Sequence, residues 1–337
     1  MPKFFELSEE QRRLVITQTA NKIGLPSQAV EKDLWVTVML HVIFTLPFAD
    51  RLVFKGGTSL SKVHHLIERF SEDIDLAIDR SIFGLEGDLT KKQTKKLRKA
   101  SSLFVKETIC PELEEAIKHF GLETYCRAEA EPDGEGDKTY PEPRKIHIYY
   151  KSLFAPIPYL QPEVQLEIGS RSLFEPTEQV EVGSLITSTF PQIDTQVTLP
   201  MTITTAVPEK TFLEKAFLLH ELFTTDRALV ANRKSRHLYD LEKMTDEPFA
   251  MKAITDDNLW NTIAHHREVF TSIRGVDYTP DIRDRICLTP PANAIDIWAQ
   301  DYKDMQDAMI FGSSLPFENL LGRMRELENR FHNRQAR

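Results

Sequence analysis

Apolar residues recur along this chain in two rhythms, and the switches between them predict its elements. From Leu7 to about Phe48 the spacing is helical: Leu14, Ile16 and Ile23 mark one stretch, then Val30, Leu34, Val36, Met39, Leu40, Val42 and Ile43 a second. Gly24-Leu25-Pro26-Ser27 separates the two, and Ser27 suits the N-cap of the second helix. Glu31-Lys32-Asp33 at its head reads either as charges complementing the helix dipole or as part of a site. A short apolar run, Leu52-Val53-Phe54, is broken by Gly56-Gly57, after which Leu60, Val63, Leu66 and Ile67 return to helical spacing. Then Ile74, Leu76 and Ile78 alternate with Asp73, Asp75 and Ala77, so a strand sends its apolar side chains one way and both aspartates the other.

Beyond a loop from Asp79 to Gly87, Thr90 to Ile117 reads as helix, interrupted at Pro111, and Ala128 to Pro143 as an exposed loop. Ile146, Ile148 and Tyr150 alternate with Lys145, His147 and Tyr149, and Val164, Leu166 and Ile168 with Glu163, Gln165 and Glu167, which predicts two strands. Between Val180 and Ala206, the runs Gln196-Val197-Thr198-Leu199 and Met201-Thr202-Ile203-Thr204 suggest edge strands or a substrate-facing loop. From Pro208 onward the pattern is helical, through Phe223, around Leu238 and Leu241, from Phe249 to Phe270, and in Ala294 to Met309 and Pro316 to Phe331. The expectation is an α/β (α+β) fold, with a mixed sheet in a domain of residues 1–205 and a largely helical domain over 206–337.

At 337 residues, with 41% hydrophobic and 28% charged positions, the chain has the composition of a soluble globular protein able to bury its own core. No apolar run is long enough to span a membrane and the N-terminal segment lacks a secretory pattern, so a cytoplasmic protein is expected. Cys110, Cys126 and Cys287 are scattered, which predicts reduced thiols. The net charge of −9 argues against a general nucleic-acid coat protein and leaves room for a local basic face. The densest such patch is Lys91, Lys92, Lys95, Lys96, Arg98 and Lys99, either a solvated helix face or a contact to a phosphate backbone.

The candidate chemistry centres on Phe54 to Ile78. A strand, a Gly56-Gly57 turn and a helix start carrying Thr58 and Ser59 would present backbone N–H groups to a phosphate. Asp73 and Asp75, two residues apart on one strand face, converge on a hard cation such as Mg²⁺. Thirteen residues separate Ser59 from Asp73, room for one helix that returns the second strand beside the first, the minimal nucleotidyltransferase core. Glu167 is the natural third carboxylate, with Glu163 on the same strand face as its competitor, and His147 is read as structural. Lys215 lies within an otherwise apolar helix, where a lysine is uncommon unless paired or employed; Lys210 and Glu214 are placed on that helix's solvent side. Asp240 reads as one partner of a surface pair with Arg236 at i, i+4.

Taken in order, Glu31-Lys32-Asp33, Lys55-Gly56-Gly57-Thr58-Ser59-Leu60-Ser61-Lys62, Arg69-Phe70-Ser71-Glu72-Asp73-Ile74-Asp75-Leu76, the Lys215 helix, Arg236 to Asp240 and Asp301-Tyr302-Lys303-Asp304-Met305 span most of the chain. They resemble the nucleotidyltransferase toxins of the AbiEii/AbiGii group, found in abortive-infection and toxin–antitoxin operons and including the MenT toxins. Relatives commonly carry an acid directly after the arginine of the fourth motif; this chain has His237 there, leaving Asp240 to carry the role. The resemblance implies a polymerase beta-like nucleotidyltransferase core and transfer of a nucleoside monophosphate from an NTP, with Mg²⁺ or Mn²⁺, to an acceptor that in the MenT relatives is a tRNA 3′ end. It implies that Asp73, Asp75 and Glu167 hold the metal, that Gly56, Gly57, Thr58, Ser59, Lys62 and Lys215 bind the triphosphate, and that Asp240 orients Lys215 or the acceptor. It also implies basic stretches that guide RNA, a cognate antitoxin from a neighbouring gene, a role in phage defence and a monomeric enzyme. A protein hydroxyl or a small antibiotic are alternative acceptors; a non-catalytic nucleotide-binding module is a third reading, against which the intact set of charges counts.

Overall fold

Seven strands pair into one mixed sheet in the computed structural model, which describes residues 3–71, 73–136, 139–155, 157, 160–191 and 201–333. They are β1 (Leu52–Lys55), β2 (Asp73–Ile78), β3 (Cys126–Ala130), β4 (Arg144–Tyr150), β5 (Glu163–Gly169), β6 (Thr177–Val182) and β7 (Met201–Ala206). Their spatial order is β3-β4-β5-β2-β1-β7-β6. β2 runs antiparallel to β1 on one side and parallel to β5 on the other, so the Asp73 strand is central. The chain divides into two units, Met1–Val63 with Phe70–Ala206, and His64–Arg69 with Val207–Arg337; the sheet belongs to the first.

Strand alternation splits this sheet into a core face and a polar face. Phe54, Ile74, Leu76, Ile78, Ile146, Ile148, Val164, Leu166 and Ile168 are buried in one cluster with Val30, Leu34, Met39 and Ile43 of α2 (Ser27–Ile43) and Ile16 of α1 (Glu9–Ile23). Each such side chain contributes roughly 1.5–3 kcal/mol by leaving water, and together they fix the register that turns Asp73 and Asp75 to the opposite face. α1 stops at Gly24, whose left-handed φ of 74° a Cβ would disfavour. Ser27 is the first residue of α2, and Pro26 stands at the cap without a side-chain bond. Glu31, Lys32 and Asp33 are not a dipole device. Glu31 accepts from Leu153 N at 2.7 Å and Ser152 Oγ at 2.5 Å, Lys32 Nζ donates to Gln161 O at 3.3 Å, and Asp33 accepts from Leu185 N at 2.7 Å. These bonds tie α2 to distant loops.

Other local expectations shift. The helix after the glycine turn, α3 (Gly56–Lys62), ends before Leu66 and Ile67, although their spacing predicts that it continues through them. Cys126–Ala130 is the edge strand β3 rather than the beginning of a loop. Met201–Ala206 is not at the edge: β7 pairs with β1 through Phe54 and Thr205 and with β6 along its length. Gln196 to Leu199 lie outside the described residues. The helix from Thr90 breaks not at Pro111 but at a π-helical turn, Val105–Ile109, between α4 (Lys91–Phe104) and α5 (Cys110–His119). Pro111 lies in the first turn of α5, directly after that π-helical turn. A short helix, α6 (Leu185–Thr189), completes the first unit.

The second unit is helical: α7 (Pro208–Phe223), α8 (Arg236–Met244), α9 (Pro248–Thr255), α10 (Asp257–Phe270), α11 (Ile295–Ala308) and α12 (Phe317–His332). Phe212, Phe217, Trp260, Trp298 and Phe331 are fully buried in it. His64–Arg69 joins these helices. Glu68 O accepts from Phe311 N at 3.0 Å and Gly312 N at 3.2 Å, Glu68 N donates to Tyr239 Oη at 3.2 Å, and Arg69 forms an isolated β-bridge with Ile310. Lys210, expected on the solvent side of α7, is fully buried. All three cysteines are free thiols, and among the described residues no helix is long and apolar enough to cross a membrane.

Candidate active site

On β2 the two aspartates and their neighbours across the sheet form a register of polar side chains. Asp75 stands opposite Lys55 of β1 on one side and Glu167 of β5 on the other, while Asp73 stands opposite Gln165. Paired positions share a face, so Glu167 is the acid adjoining Asp75. Glu163, its competitor, lies four residues away along β5 and faces Tyr149 of β4, with its Oε2 3.5 Å from His147 Nδ1. Glu167 is also engaged: Lys145 Nζ lies 3.1 Å from it and Gln165 Nε2 donates to it at 3.0 Å.

The turn between β1 and α3 closes against this row. Gly56 has φ +82°, and a Cβ built on it would collide with Oδ2 of Asp75. Only glycine lets the backbone take that conformation and come this near the carboxylate. Thr58 and Ser59 are buried and bond their own turn: Ser59 Oγ donates to Gly56 O at 2.9 Å, while Thr58 Oγ1 bonds Ser71 Oγ at 2.9 Å and Asp73 O. The hydroxyls therefore lock the turn to β2 rather than cap a helix end. Lys62 Nζ is paired with Asp33 Oδ1 at 2.5 Å, both largely covered.

Two aspartates on one face beside a glycine turn fit a divalent cation of the Mg²⁺ type, which takes one or two carboxylates and completes its shell with water and substrate phosphates. No group of three His, Cys, Asp or Glu side chains is drawn into a ready cage among the described residues. Glu167 is placed as a neighbour to such a pair, with its carboxylate held by Lys145.

Lys215 and Asp240 meet in the helical unit. Asp240, fully buried, is not in a surface pair with Arg236; it receives Arg69 in a fork, Nε to Oδ1 at 2.6 Å and Nη2 to Oδ2 at 2.7 Å, and Lys215 Nζ to Oδ2 at 2.8 Å. His237 Nδ1 lies 3.4 Å from Lys215 Nζ. Burial pushes the Asp240 carboxyl up, but Arg69 and Lys215 outweigh it and hold the group well below the usual carboxylate range. Burial pushes the Lys215 ammonium down, against the attraction of Asp240, and pushes His237 well down, assisted by Lys215. The imidazole is thus neutral, and two cations share one carboxylate. A buried excess of positive charge is costly by itself and favourable beside a polyanion.

Sequence reasoning gave Arg69 no role, because its partner Asp240 is 171 residues away and no local spacing links them. The signal was present in retrospect: an arginine four residues before Asp73, beside aromatic Phe70. Within the late motif Asp301-Tyr302-Lys303-Asp304-Met305, three residues have structural partners or burial. Asp301 accepts from Arg233 N at 2.5 Å and Ser235 N at 2.9 Å, anchoring the start of α8, and Tyr302 and Met305 are buried.

The comparisons with known proteins bear on this arrangement. Residues 38–323 match the family described as nucleotidyl transferase AbiEii toxin, type IV TA system. A search of curated proteins gives no match. Among solved structures the chain is similar to MenT4, the nucleotidyltransferase toxin Rv2826c from Mycobacterium tuberculosis H37Rv, at 17% identity and a TM-score of 0.48, over 96% of this chain and 99% of that one. With its carboxylate strand, glycine turn and buried lysine all inside the matched span, the chain belongs to the AbiEii family of nucleotidyltransferase toxins of type IV toxin–antitoxin systems.

Proposed function

We propose that this nucleotidyltransferase transfers a nucleoside monophosphate from an NTP to the 3′ end of an RNA, tRNA being the preferred acceptor, and that this modification is its toxic act. The observation that carries the reading is the register of β2, which sets Asp73 and Asp75 on one face with Glu167 beside them and the Gly56 turn against Asp75. In this reading Asp73 and Asp75 hold Mg²⁺ (or Mn²⁺), with Glu167 as the third carboxylate. The metal, when bound, neutralises phosphate charge and positions the α-phosphate.

Phosphoryl transfer asks the protein mainly for positioning and charge neutralisation. The acceptor hydroxyl attacks the α-phosphorus, its proton passes to a nearby carboxylate or water, and pyrophosphate leaves. Backbone N–H groups of Gly56, Gly57, Thr58 and Ser59 orient the triphosphate, with Lys62 set behind them on Asp33. Lys215, paired with Asp240, supplies a positive charge suited to a phosphate. The basic stretches Lys91 to Lys99 and Arg233 to Arg236 attract the RNA backbone, whose phosphates carry most of the affinity. The protein acts as a monomer in the cytoplasm, and the antitoxin that family membership implies comes from a neighbouring gene.

Replacing Asp73 or Asp75 with alanine tests the carboxylate pair: metal-dependent transfer from an α-³²P-labelled NTP is expected to vanish with the circular dichroism spectrum unchanged. Near-wild-type transfer by either variant would remove the two-carboxylate mechanism.

A further inference from the structure

The polar face that carries the two aspartates does not stop at β5. It continues across β4 and β3, where it carries a half-buried His147 and the exposed Tyr149 and Arg127. His147 pairs in register with Gln165, and therefore lies in the same row as Asp73; Tyr149 pairs with Glu163 in the next row, and Arg127 of β3 stands opposite Tyr149. The His147 and Tyr149 rings are stacked, 12° from parallel with centroids 6.0 Å apart, and the Arg127 guanidinium lies 4.7 Å over the Tyr149 ring. Tyr149 is among the exposed large side chains, at 37%.

The core face of β4 is made by Ile146, Ile148 and Tyr150, so His147 and Tyr149 alternate onto the face away from that cluster. On this outer part Glu129 is paired with Arg127 at 2.9 Å and Glu167 with Lys145 at 3.1 Å, while Glu163 lies 3.5 Å from His147 Nδ1. The patch therefore carries charges of both signs and presents π surface. It lacks the apolar side chains of a membrane-binding face. Stacked aromatic, histidine and arginine side chains on an exposed sheet are what unpaired nucleobases bind, since every base has a π-face.

We infer that His147, Tyr149 and Arg127 form a stacking platform for the unpaired bases next to the acceptor hydroxyl of the RNA. This rests on the RNA acceptor proposed above and extends it to a specific surface. The sheet order decides between acceptor and donor. The glycine turn proposed to hold the triphosphate lies on the β1 side of β2, whereas the platform lies beyond β5 on the other side. Attacking and leaving oxygens stand roughly in line on opposite sides of the reacting phosphorus, so the pyrophosphate end occupies the β1 side and the attacking strand arrives over β5 and β4. With strands about 4.8 Å apart, His147 is about 10 Å from Asp73 across the sheet, and Tyr149 is two residues, about 7 Å, further along β4. These are distances that the last nucleotides of a single strand span.

The test uses the full chain and a short synthetic single-stranded RNA carrying 2-aminopurine one nucleotide before its 3′ end. Binding to the wild type is expected to quench the fluorophore. Tyr149→Ala and His147→Ala are expected to weaken binding roughly tenfold or more and to lose the quench, as removal of one stacking partner does. Tyr149→Phe is expected to restore both, and the KM for NTP to stay unchanged throughout. Wild-type RNA affinity in the alanine variants, with transfer to RNA intact, overturns the platform and leaves the RNA acceptor standing. A raised KM for NTP with unchanged RNA affinity also overturns it, by assigning the rings to the donor. A wild-type enzyme that labels only protein and binds no RNA removes the acceptor reading itself, and the platform with it.

Discussion

Asp240 shows how a single carboxylate can set the state of its surroundings. With Arg69 in a two-point fork and Lys215 on Oδ2, it is the acid that both basic side chains share among the described residues. Its depressed pKa means that the ionised form stabilises the fold at and above the ordinary carboxylate range, a contribution lost only as pH falls through the lower folded value. Truncating it strands two positive charges, so Asp240→Ala is expected to cost about 3–5 kcal/mol in chemical denaturation. Lys215→Ala is expected to behave differently, because the Arg69 fork still satisfies Asp240: stability changes less, and NTP use falls strongly. A Lys215→Ala protein whose only defect is thermal would make the lysine structural. None of this was readable locally. The i, i+4 spacing of Arg236 and Asp240 offered a nearer partner, and Arg69 declared itself only through tertiary folding.

At the scale of elements, the stretch from β1 to β2 was largely legible and its middle was not. Period-two alternation located β2, because a strand with one buried face must alternate, and the same logic found β4 and β5. Helical spacing at Leu66 and Ile67 misled. Those residues follow a helix that ends at Lys62, since Glu68 bonds Phe311 and Gly312, residues no window around 66 contains. β3 was missed because Arg127 and Glu129 make an exposed edge strand look like loop. Gly56 was read as a turn glycine, yet its conformation and the nearness of Asp75 give it a second constraint. Gly56→Ala is therefore expected to lower transfer activity by more than tenfold while the melting temperature drops by only a few degrees. Full activity in that variant, measured with saturating NTP and metal, would mean that the turn has room the Asp75 carboxylate does not leave.

Across the whole molecule, the sheet unit carries the carboxylates and the glycine turn while the helical unit carries the Lys215 cluster, and each is stabilised by its own buried core. Membership in the AbiEii family states what kind of enzyme this is; the acceptor is a matter of surface chemistry. In an acidic chain, net −9, the features that support the proposed RNA acceptor are Lys91, Lys92, Lys95, Lys96 and Lys99, exposed on one helix, and the stacked rings of β4. The most direct measurement incubates the purified protein with total cellular RNA and each α-³²P-labelled NTP in turn, in the presence of Mg²⁺, alongside Asp75→Asn. Label is expected in an RNA band of tRNA size with the wild type and absent with the variant. Label appearing only in protein, or in no macromolecule, would contradict the account.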